Sequence, residues 1–299
     1  MDNVNIVNDT ALREPFLRQV AQVYADNERD NLADICFVVP NKRSGVFLSK
    51  YFSETLTSDG TEAALAPPVI TISDFISDLS DKVEISRIEM LFILYEVYSD
   101  IVKRHLSEAD IAAGKGLVDF NRFQYWGDIL INDFGDVDRY LVDADQLFKN
   151  IENLKEISAN YLTEEQLEVI RKYWNEDLVP EPVKEFWNHA VHVNSRRQGK
   201  TGNKNVAGFV KLWQVMLEVY EGFRARLDAE GYGYGGMIYR EVSDRLKEMD
   251  AGDFDCDRYV FTGFSVLSES EQSIFRSMQR MGIADFYWDY ASPAMYIKG

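Results

Sequence analysis

The sequence predicts an α/β fold in which a parallel sheet is interrupted by a large helical insertion. Two observations predict it. At both ends of the chain, apolar runs typical of buried strands alternate with helical patterns, whereas the long middle shows helical spacing only. We therefore expect one α/β domain formed by residues 1–85 together with residues 250–299, and an all-helical insertion subdomain formed by residues 86–249.

Each predicted strand is a short apolar run that is followed by a helical pattern. The strands are expected near residues 4, 36, 70, 260 and 286. The run from Ile35 to Val39 is continuously apolar, as in strands buried on both faces, and strand–helix alternation implies right-handed crossovers between parallel strands. Ser73 is placed to cap a helix over residues 74–79, and Ser268 with Glu271 has the spacing of a capping box.

In the middle of the chain, Ser86 and Glu89 have the spacing of a second capping box, which predicts that a helix begins there. Further helices are expected over residues 120–134, 143–157, 163–175, 206–230 and 236–249, and the polar stretch 194–205 is expected to be a loop. The glycines of residues 231–236 follow a helix and predict its end and a turn.

Six aspartates without calcium-loop spacing are predicted to cap helix ends and face solvent: Asp128, Asp133, Asp136, Asp138, Asp143 and Asp145.

The composition is that of a globular protein. The chain has 299 residues, of which 46% are hydrophobic and 27% charged, and this balance excludes disordered and collagen-like chains. Two cysteines, Cys36 and Cys256, exclude a disulfide framework and a four-thiolate cluster and fit a reducing compartment. Because the N-terminus lacks a signal-peptide pattern and no stretch approaches the length of a membrane span, we expect a cytoplasmic protein with no membrane partner.

The signals of nucleotide chemistry are incomplete. A phosphate-binding loop would follow the first predicted strand, but residues 8–13 contain neither Gly nor Lys. The strand near residue 260 ends in Phe261-Thr262-Gly263, without the carboxylate that holds Mg²⁺ in phosphate-loop ATPases. Gly199-Lys200-Thr201 and Asp133-Phe134-Gly135 match only fragments of nucleotide motifs, so we interpret both as coincidental. We therefore predict no cofactor, no metal and no catalytic residue.

Polar and basic residues follow two of the predicted strands. Both groups should lie at the carboxyl edge of the parallel sheet, where helix N-termini offer free N–H groups that suit the phosphates of a nucleic-acid backbone. The alternative interpretation is a pair of solvated helix caps. The predicted contacts after these strands are Asn41, Lys42, Arg43, Ser44, Thr71 and Ser73.

A second candidate contact is the stretch between Glu185 and Glu218, which contains no acidic residue. The net charge of the chain is −18, which as a whole repels nucleic acid, so any polyanion contact must be local. Four cations of this stretch lie in the predicted loop or at its end and are expected to be exposed: Arg196, Arg197, Lys200 and Lys204.

Several segments resemble helicases. FVVPNKRSGVFLSKYF resembles the strand–helix segment of superfamily 1 helicases that contacts single-stranded DNA, and VITISDFI resembles their next strand-to-helix turn. YVFTGFSVLSESEQSIFRSM is similar to a strand and helix of AddB-type helicase-nuclease subunits, with Thr262 at the position of an Asp. Two segments of the predicted insertion, WGDILINDFGDVDRYLVDADQLF and EGYGYGGMIYREV, resemble helical segments of the same family.

The resemblance implies a RecA-like, that is P-loop NTPase-like, first helicase domain with a helical insertion. This sequence departs from the family in residues 8–13 and at Thr262, which lack the nucleotide loop and the Mg²⁺ carboxylate, so we expect the region to have no ATPase activity. The resemblance further implies that the chain is the N-terminal region of a longer protein, since this family usually ends in a PD-(D/E)XK nuclease domain. Members of the family process double-strand DNA ends with an AddA-type partner.

The function expected from the resemblance is non-catalytic DNA handling in double-strand-break repair and recombination. The implied partners are DNA, as a single strand or a duplex end, and an AddA-type subunit. Two other hypotheses stand beside it. One is an acidic protein-interaction scaffold that does not touch DNA, and the other is an active NTPase, which residues 8–13 and Thr262 disfavour.

Overall fold

The computed structural model describes residues 14–58, 65–105, 119–147 and 204–289 of the chain. These residues fall into two compact units. The sheet unit lies within Met1–Leu79 and Val242–Gly299, and the helical unit lies within Ser80–Glu241.

The order of elements along the chain alternates in the sheet unit and is mostly helical in the other. The helices are α1 (Phe16–Asn27), α2 (Lys42–Ser58), α3 (Ile72–Leu79), α4 (Arg87–His105), α5 (Phe120–Arg139), α6 (Lys204–Ala229), α7 (Gly235–Arg245) and α8 (Glu269–Met281). The strands are β1 (Ile35–Val39), β2 (Val69–Thr71), β3 (Val83–Glu84), β4 (Tyr232–Gly233), β5 (Arg258–Thr262) and β6 (Ala284–Tyr287).

The sheet unit contains a four-stranded sheet in the order β2-β1-β5-β6, and every neighbouring pair is parallel. Val38 of β1 lies opposite Ile70 of β2 and Phe261 of β5. Four of the five predicted strands and their parallel pairing are thus confirmed. The fifth, expected near residue 4, lies outside the described residues.

Helices cover both faces of this sheet, and β1 is therefore buried along its whole length. On one face, the ring of Phe37 packs against Phe52 of α2 and Tyr24 of α1, with centroids 4.8 and 5.0 Å apart. On the other face, Phe261 packs against Phe275 of α8 at 4.4 Å. Because both faces are occupied, a ligand of this unit has to approach the ends of the strands.

Both predicted capping boxes are present. Ser268 accepts a hydrogen bond from the backbone N–H of Glu271, whose side chain accepts one from the N–H of Ser268 in return. Ser86 and Glu89 exchange the same pair of bonds at the beginning of α4. Each box satisfies backbone donors that a helix leaves unpaired at its first turn.

The predicted cap at Ser73 is wrong. Helix α3 begins at Ile72, directly after β2, so Ser73 lies in its first turn. The cap is Thr71, whose Oγ1 accepts a hydrogen bond of 3.2 Å from the backbone N–H of Asp74. Because the strand passes into the helix without a linking residue, the last residue of the strand occupies the capping position.

The helical unit buries an apolar core between α4, α5, α6 and α7. Its side chains include Leu94 of α4, Phe123 and Trp126 of α5, and Phe223 of α6. A short parallel pair, in which Val83 of β3 lies opposite Tyr232 of β4, was not predicted, because two-residue strands are too short to show alternation. In the described part of the chain, no helix is long and apolar enough to cross a membrane.

The observed beginning of α6 differs from the prediction, because the first turn of a helix does not require apolar residues. Helix α6 begins at Lys204, so Lys204 lies in a helix and not in the predicted loop. The apolar pattern starts only at Val206, whereas the first turn accepts polar side chains equally well. Of the helix predicted over 143–157, residue 143 is not helical, residues 144–147 are helical, and residues 148–157 lie outside the described residues. The whole of the helix predicted over 163–175 also lies outside them.

One of the six aspartates that were predicted to cap helix ends and face solvent is buried. Asp138 is 0% exposed, because Tyr220, Tyr234 and Arg240 surround its carboxylate. These partners lie about 80 to 100 residues away along the chain, so no local spacing reveals them. Asp143 does cap a turn, since its Oδ1 accepts a hydrogen bond of 2.9 Å from the N–H of Gln146.

Two glycines have positions that require them. Gly231 follows α6 with φ of +73°, which confirms the predicted turn. Gly236 allows α7 to approach α5, since a Cβ at this position would lie only 2.1 Å from the carbonyl oxygen of Gly135. The tripeptide Asp133-Phe134-Gly135 thus lies inside a helix, where Phe134 belongs to the core and Gly135 to a close helix contact.

Candidate functional site

The carboxyl ends of the four parallel strands lie at one edge of the sheet unit. The residues after β1 begin α2, those after β2 begin α3, and those after β5 form the segment Gly263-Phe264-Ser265. The connection from β1 runs to one neighbour, β2, whereas β5 lies on its other side. The boundary between β1 and β5 is therefore a switch point, the place where open α/β sheets bind ligands.

The first turn of α2 is organised by Asn41. Its side-chain Oδ1 accepts a hydrogen bond of 3.0 Å from the backbone N–H of Ser44, and the hydroxyl of Ser44 lies 3.3 Å from the same oxygen. Asn41 is thus a helix cap, which leaves Lys42 and Arg43 as the first two residues of the helix. Their backbone N–H groups lie at the positive end of the helix dipole.

Lys42 and Arg43 are both exposed. No carboxylate of the described chain lies within ion-pair distance of either side chain. Elsewhere in the sheet unit, cations such as Arg18 are paired, in that case with Glu54. The two cations at the carboxyl edge therefore have no ion-pair partner in this part of the chain and can contact an external anion.

Thr71 and Asp74 form a closed pair of hydrogen bonds beside Lys42. The hydroxyl of Thr71 donates to Asp74 Oδ2 at 2.7 Å, and the backbone N–H of Thr71 points to the same oxygen at 3.2 Å. These bonds hold the pKa of the Asp74 carboxyl below its usual range, and the charge of Lys42 acts in the same direction. Thr71 is only 9% exposed, and its hydroxyl proton is donated to Asp74. Thr71 therefore positions α3 and does not serve as a contact for phosphate.

The remaining predicted contacts have a mixed outcome. Ser73 is exposed in the first turn of α3. Lys204 is the first residue of α6, in the helical unit. Arg196, Arg197 and Lys200 lie outside the described residues.

A crevice of about 560 Å³ lies at the switch point of the sheet. Arg43, Phe47 and Tyr51 of α2 form one wall, Phe16 of α1 contributes an aromatic ring, and the segment after β5 forms the opposite side. Sequence reasoning missed the two aromatic residues of α2, although Arg43, Phe47 and Tyr51 follow one another at intervals of four residues and must share one helix face.

The end of β5 has no carboxylate. Thr262 is its last residue and is 0% exposed, and its Oγ1 has no hydrogen-bond partner in the described chain. The next residue, Gly263, has φ of +81°, a conformation that favours glycine, and it lines the crevice. Among the described residues, no three His, Cys, Asp or Glu side chains are arranged to hold a metal ion.

The helical unit contains a second polar cluster, which surrounds the buried carboxylate of Asp138. Asp138 Oδ1 accepts a hydrogen bond of 2.7 Å from the hydroxyl of Tyr220 and lies 2.7 Å from Arg240 Nε and 3.4 Å from Arg224 Nη1, while the hydroxyl of Tyr234 donates to its other oxygen. Burial, with the charge of Asp138, raises the pKa of Tyr220 to about 12, and the pKa of Tyr234 also rises. Both phenols thus remain donors, and the cluster joins α5, α6 and α7 as a structural element.

No protein-family model matches this chain, and no curated protein is similar enough to count as a relative.

Proposed function

We propose that this chain is a DNA-handling, helicase-like region without motor activity. In this proposal the sheet unit is a RecA-like domain, and the chain is the N-terminal region of an AddB-like subunit. It would handle a single strand or a duplex end of DNA during double-strand-break repair, in the cytoplasm, together with an AddA-type subunit.

The observation that carries the proposal is the pair of unpaired cations at the carboxyl edge. Lys42 and Arg43 are exposed at the beginning of a long helix, in a chain whose net charge is −18. Positive charge at a helix N-terminus favours the binding of phosphate, and here it lies in a chain that is otherwise negative. Contacts of this type bind the backbone of a nucleic acid without regard to sequence.

The end of β5 supports the absence of motor activity. The position that would hold Mg²⁺ in an ATPase is Thr262, a neutral side chain enclosed in the fold. A hydroxyl without solvent access cannot hold a hydrated cation. The segment 8–13, which contains neither Gly nor Lys, supports the same conclusion from the sequence.

The experiment is a titration of the full chain with an oligothymidylate at several salt concentrations. We expect affinity to fall with salt, because each neutralised phosphate releases counterions. In the double variant Lys42→Ala, Arg43→Ala, binding should weaken for every DNA sequence, and the slope of log affinity against log salt should flatten by about one to two units.

The matched control is the double variant Lys103→Ala, Arg104→Ala. It removes the same two residue types in the same order from the end of α4, where Lys103 pairs with Asp100 and the Arg104 side chain donates to the Asp100 carbonyl. It should leave the salt slope unchanged. A chain that does not bind DNA, or equal effects of both double variants, contradicts the proposal.

A second candidate, the acidic interaction scaffold, is favoured by exposed apolar residues of the helical unit. Ile88 and Phe92 lie one turn apart on α4 and are 64% and 50% exposed. Exposed apolar side chains of this size mark protein interaction surfaces when they cluster. The scaffold becomes the leading hypothesis if the titration shows no DNA binding.

A further inference from the structure

The two cysteines of the chain are neighbours in the sheet unit, although they lie near opposite ends of the sequence. Cys36 is the second residue of β1, and Cys256 lies shortly before β5, which begins at Arg258. In the parallel pairing of these strands, Cys36 lies opposite Tyr259. Both thiols are free. The sheet therefore brings together two thiols that no local sequence pattern connects.

The segment before β5 bends back towards the beginning of the strand. The ring of Phe254 packs against that of Tyr259, with centroids 5.6 Å apart. Because adjacent strands lie about 4.8 Å apart, this bend places Cys256 beside Cys36 of the neighbouring strand. The two side chains are hydrogen-bonded to each other. Two cysteines can be bridged only when their side chains point towards each other, and this contact shows that they do.

The two thiols differ in their access to solvent. Cys36 is 4% exposed, because β1 is buried along its whole length, whereas Cys256 is half-buried. A reagent in solution therefore reaches Cys256 first, and Cys36 reacts with it only through Cys256. In such an arrangement, the buried thiol can displace a group that the accessible thiol has taken up.

We propose that Cys36 and Cys256 form a site of reversible oxidation, at which a low-molecular-weight disulfide, such as oxidised glutathione, closes an intramolecular disulfide. The thiolate of Cys256 attacks one sulfur of the oxidant, whose S–S bond breaks and releases one glutathione. The thiolate of Cys36 then attacks the Sγ of Cys256 and displaces the second glutathione. The two protein thiols thereby lose two protons and two electrons, and the oxidant takes them up as two thiols. This inference goes beyond the proposed function and does not depend on DNA binding.

The surroundings of the two thiols disfavour their ionised forms. Burial raises the pKa of Cys36 to about 12, and burial also raises the pKa of Cys256. The charged groups that act on them are carboxylates, that of Asp78 on Cys36 and those of Asp255 and Asp34 on Cys256. The reduced form therefore gains no stability from ionisation, in contrast to strongly oxidising dithiols. We expect the disulfide to form slowly at neutral pH and to require an excess of a strong thiol reductant to open.

The thiol pair lies at the edge of the sheet opposite to the candidate phosphate contacts. Cys36 and Cys256 are at the amino ends of β1 and β5, whereas Lys42 and Arg43 follow the carboxyl end of β1. The disulfide ties the two strands together by closing a long loop, which restricts the unfolded chain. Oxidation and DNA binding can therefore be measured independently.

The test treats the full chain with oxidised glutathione, blocks the remaining thiols with N-ethylmaleimide, and determines the masses of the intact chain and of its proteolytic peptides. We expect a monomeric product that has lost two hydrogen atoms, carries neither reagent, and yields a peptide in which Cys36 is joined to Cys256. Dithiothreitol should return both thiols. A stable glutathione adduct, a disulfide between two chains, or two thiols that remain unreacted after prolonged treatment at alkaline pH overturns the inference.

Two variants separate the two steps. Cys36→Ala lacks the displacing thiol, so it should accumulate one glutathione per chain on Cys256. Cys256→Ser lacks the accessible thiol, so its buried Cys36 should take up no glutathione in the time in which the parent chain closes its disulfide. If Cys36→Ala does not fold, Cys36→Val replaces it, because valine fills the buried space of the thiol. A Cys36 variant without the adduct, or a Cys256→Ser chain that reacts as fast as the parent, overturns the inference.

Discussion

Asp138 and Lys42 show what separates a structural charge from a charge that is available to a ligand. Asp138 is enclosed, and two phenols and two guanidinium groups satisfy its carboxylate. Lys42 lies at the surface with no ion-pair partner in the described chain. Local sequence does not distinguish the two cases, since both residues are charged and lie near a helix end.

Replacing Asp138 should be among the most costly single changes in the helical unit. In Asp138→Ala, the side chains of Arg240, Tyr220 and Tyr234 lose their shared acceptor in a buried place, and we expect a loss of about 3–5 kcal/mol in the free energy of unfolding. Urea denaturation followed by tryptophan fluorescence measures it.

The control for this change is Asp136→Ala, an exposed aspartate of the same helix, which should change the free energy of unfolding by less than about 0.5 kcal/mol. If Asp138→Ala does not fold, Asp138→Asn retains an acceptor oxygen and is expected to unfold at an intermediate urea concentration. Equal stability of the Asp136 and Asp138 variants would show that the cluster contributes nothing.

The beginning of α3 shows how a strand and the helix that follows it share a residue. Thr71 pairs with Val39 in the sheet and at the same time caps α3 through Asp74. The Thr71–Asp74 pair is a capping box with Asp in place of the usual Glu. This double use keeps α3 close to the sheet edge and brings Asp74 near Lys42.

Replacing Thr71 by Val should destabilise the protein by about 1 kcal/mol at neutral pH, since the cap is lost while the side-chain shape is kept. Ser73→Ala, the control, should change stability by less than about 0.5 kcal/mol. Urea denaturation of both variants measures the two effects. A larger loss of stability in Ser73→Ala than in Thr71→Val would mean that Ser73 is the cap, as the sequence predicted.

The same pair should make part of the stability depend on pH. The pKa of Asp74 is lowered in the folded chain, so its contribution is present above the unfolded pKa of about 3.9 and is lost as pH falls through the folded value. The difference between the parent chain and Thr71→Val should therefore shrink below about pH 4. A difference that stays constant down to acid pH would mean that the ionised carboxylate is not what the cap depends on.

The parallel arrangement of the sheet explains why candidate contacts from distant segments lie near one another. Helix α2 follows β1, whereas Gly263 follows β5 more than 200 residues later along the chain, and both meet at one edge. Only a parallel sheet places the beginnings of all following segments on the same side. A site of this kind is a property of the topology.

For the chain as an ATPase, the expected outcome is negative. Isothermal calorimetry with Mg²⁺ and ATP should show no binding at micromolar concentrations, and no phosphate should be released, because Thr262 replaces the metal-binding carboxylate and residues 8–13 lack the phosphate-cradling residues. Micromolar affinity for ATP would contradict the proposed loss of motor function.

Local patterns in the chain were sufficient for the strands around residues 36, 70, 260 and 286, for their parallel pairing and for two capping boxes. Each of these depends on neighbours within a few residues or on the alternation of strands and helices, which the sequence displays directly. Packing alone decided the burial of Asp138, the cap at Thr71 and the pairing of β3 with β4. The crevice was also decided by packing. The sequence already implies that Arg43, Phe47 and Tyr51 share one face of α2. Only the folded sheet supplies the opposite wall, because that wall comes from a segment remote in the chain.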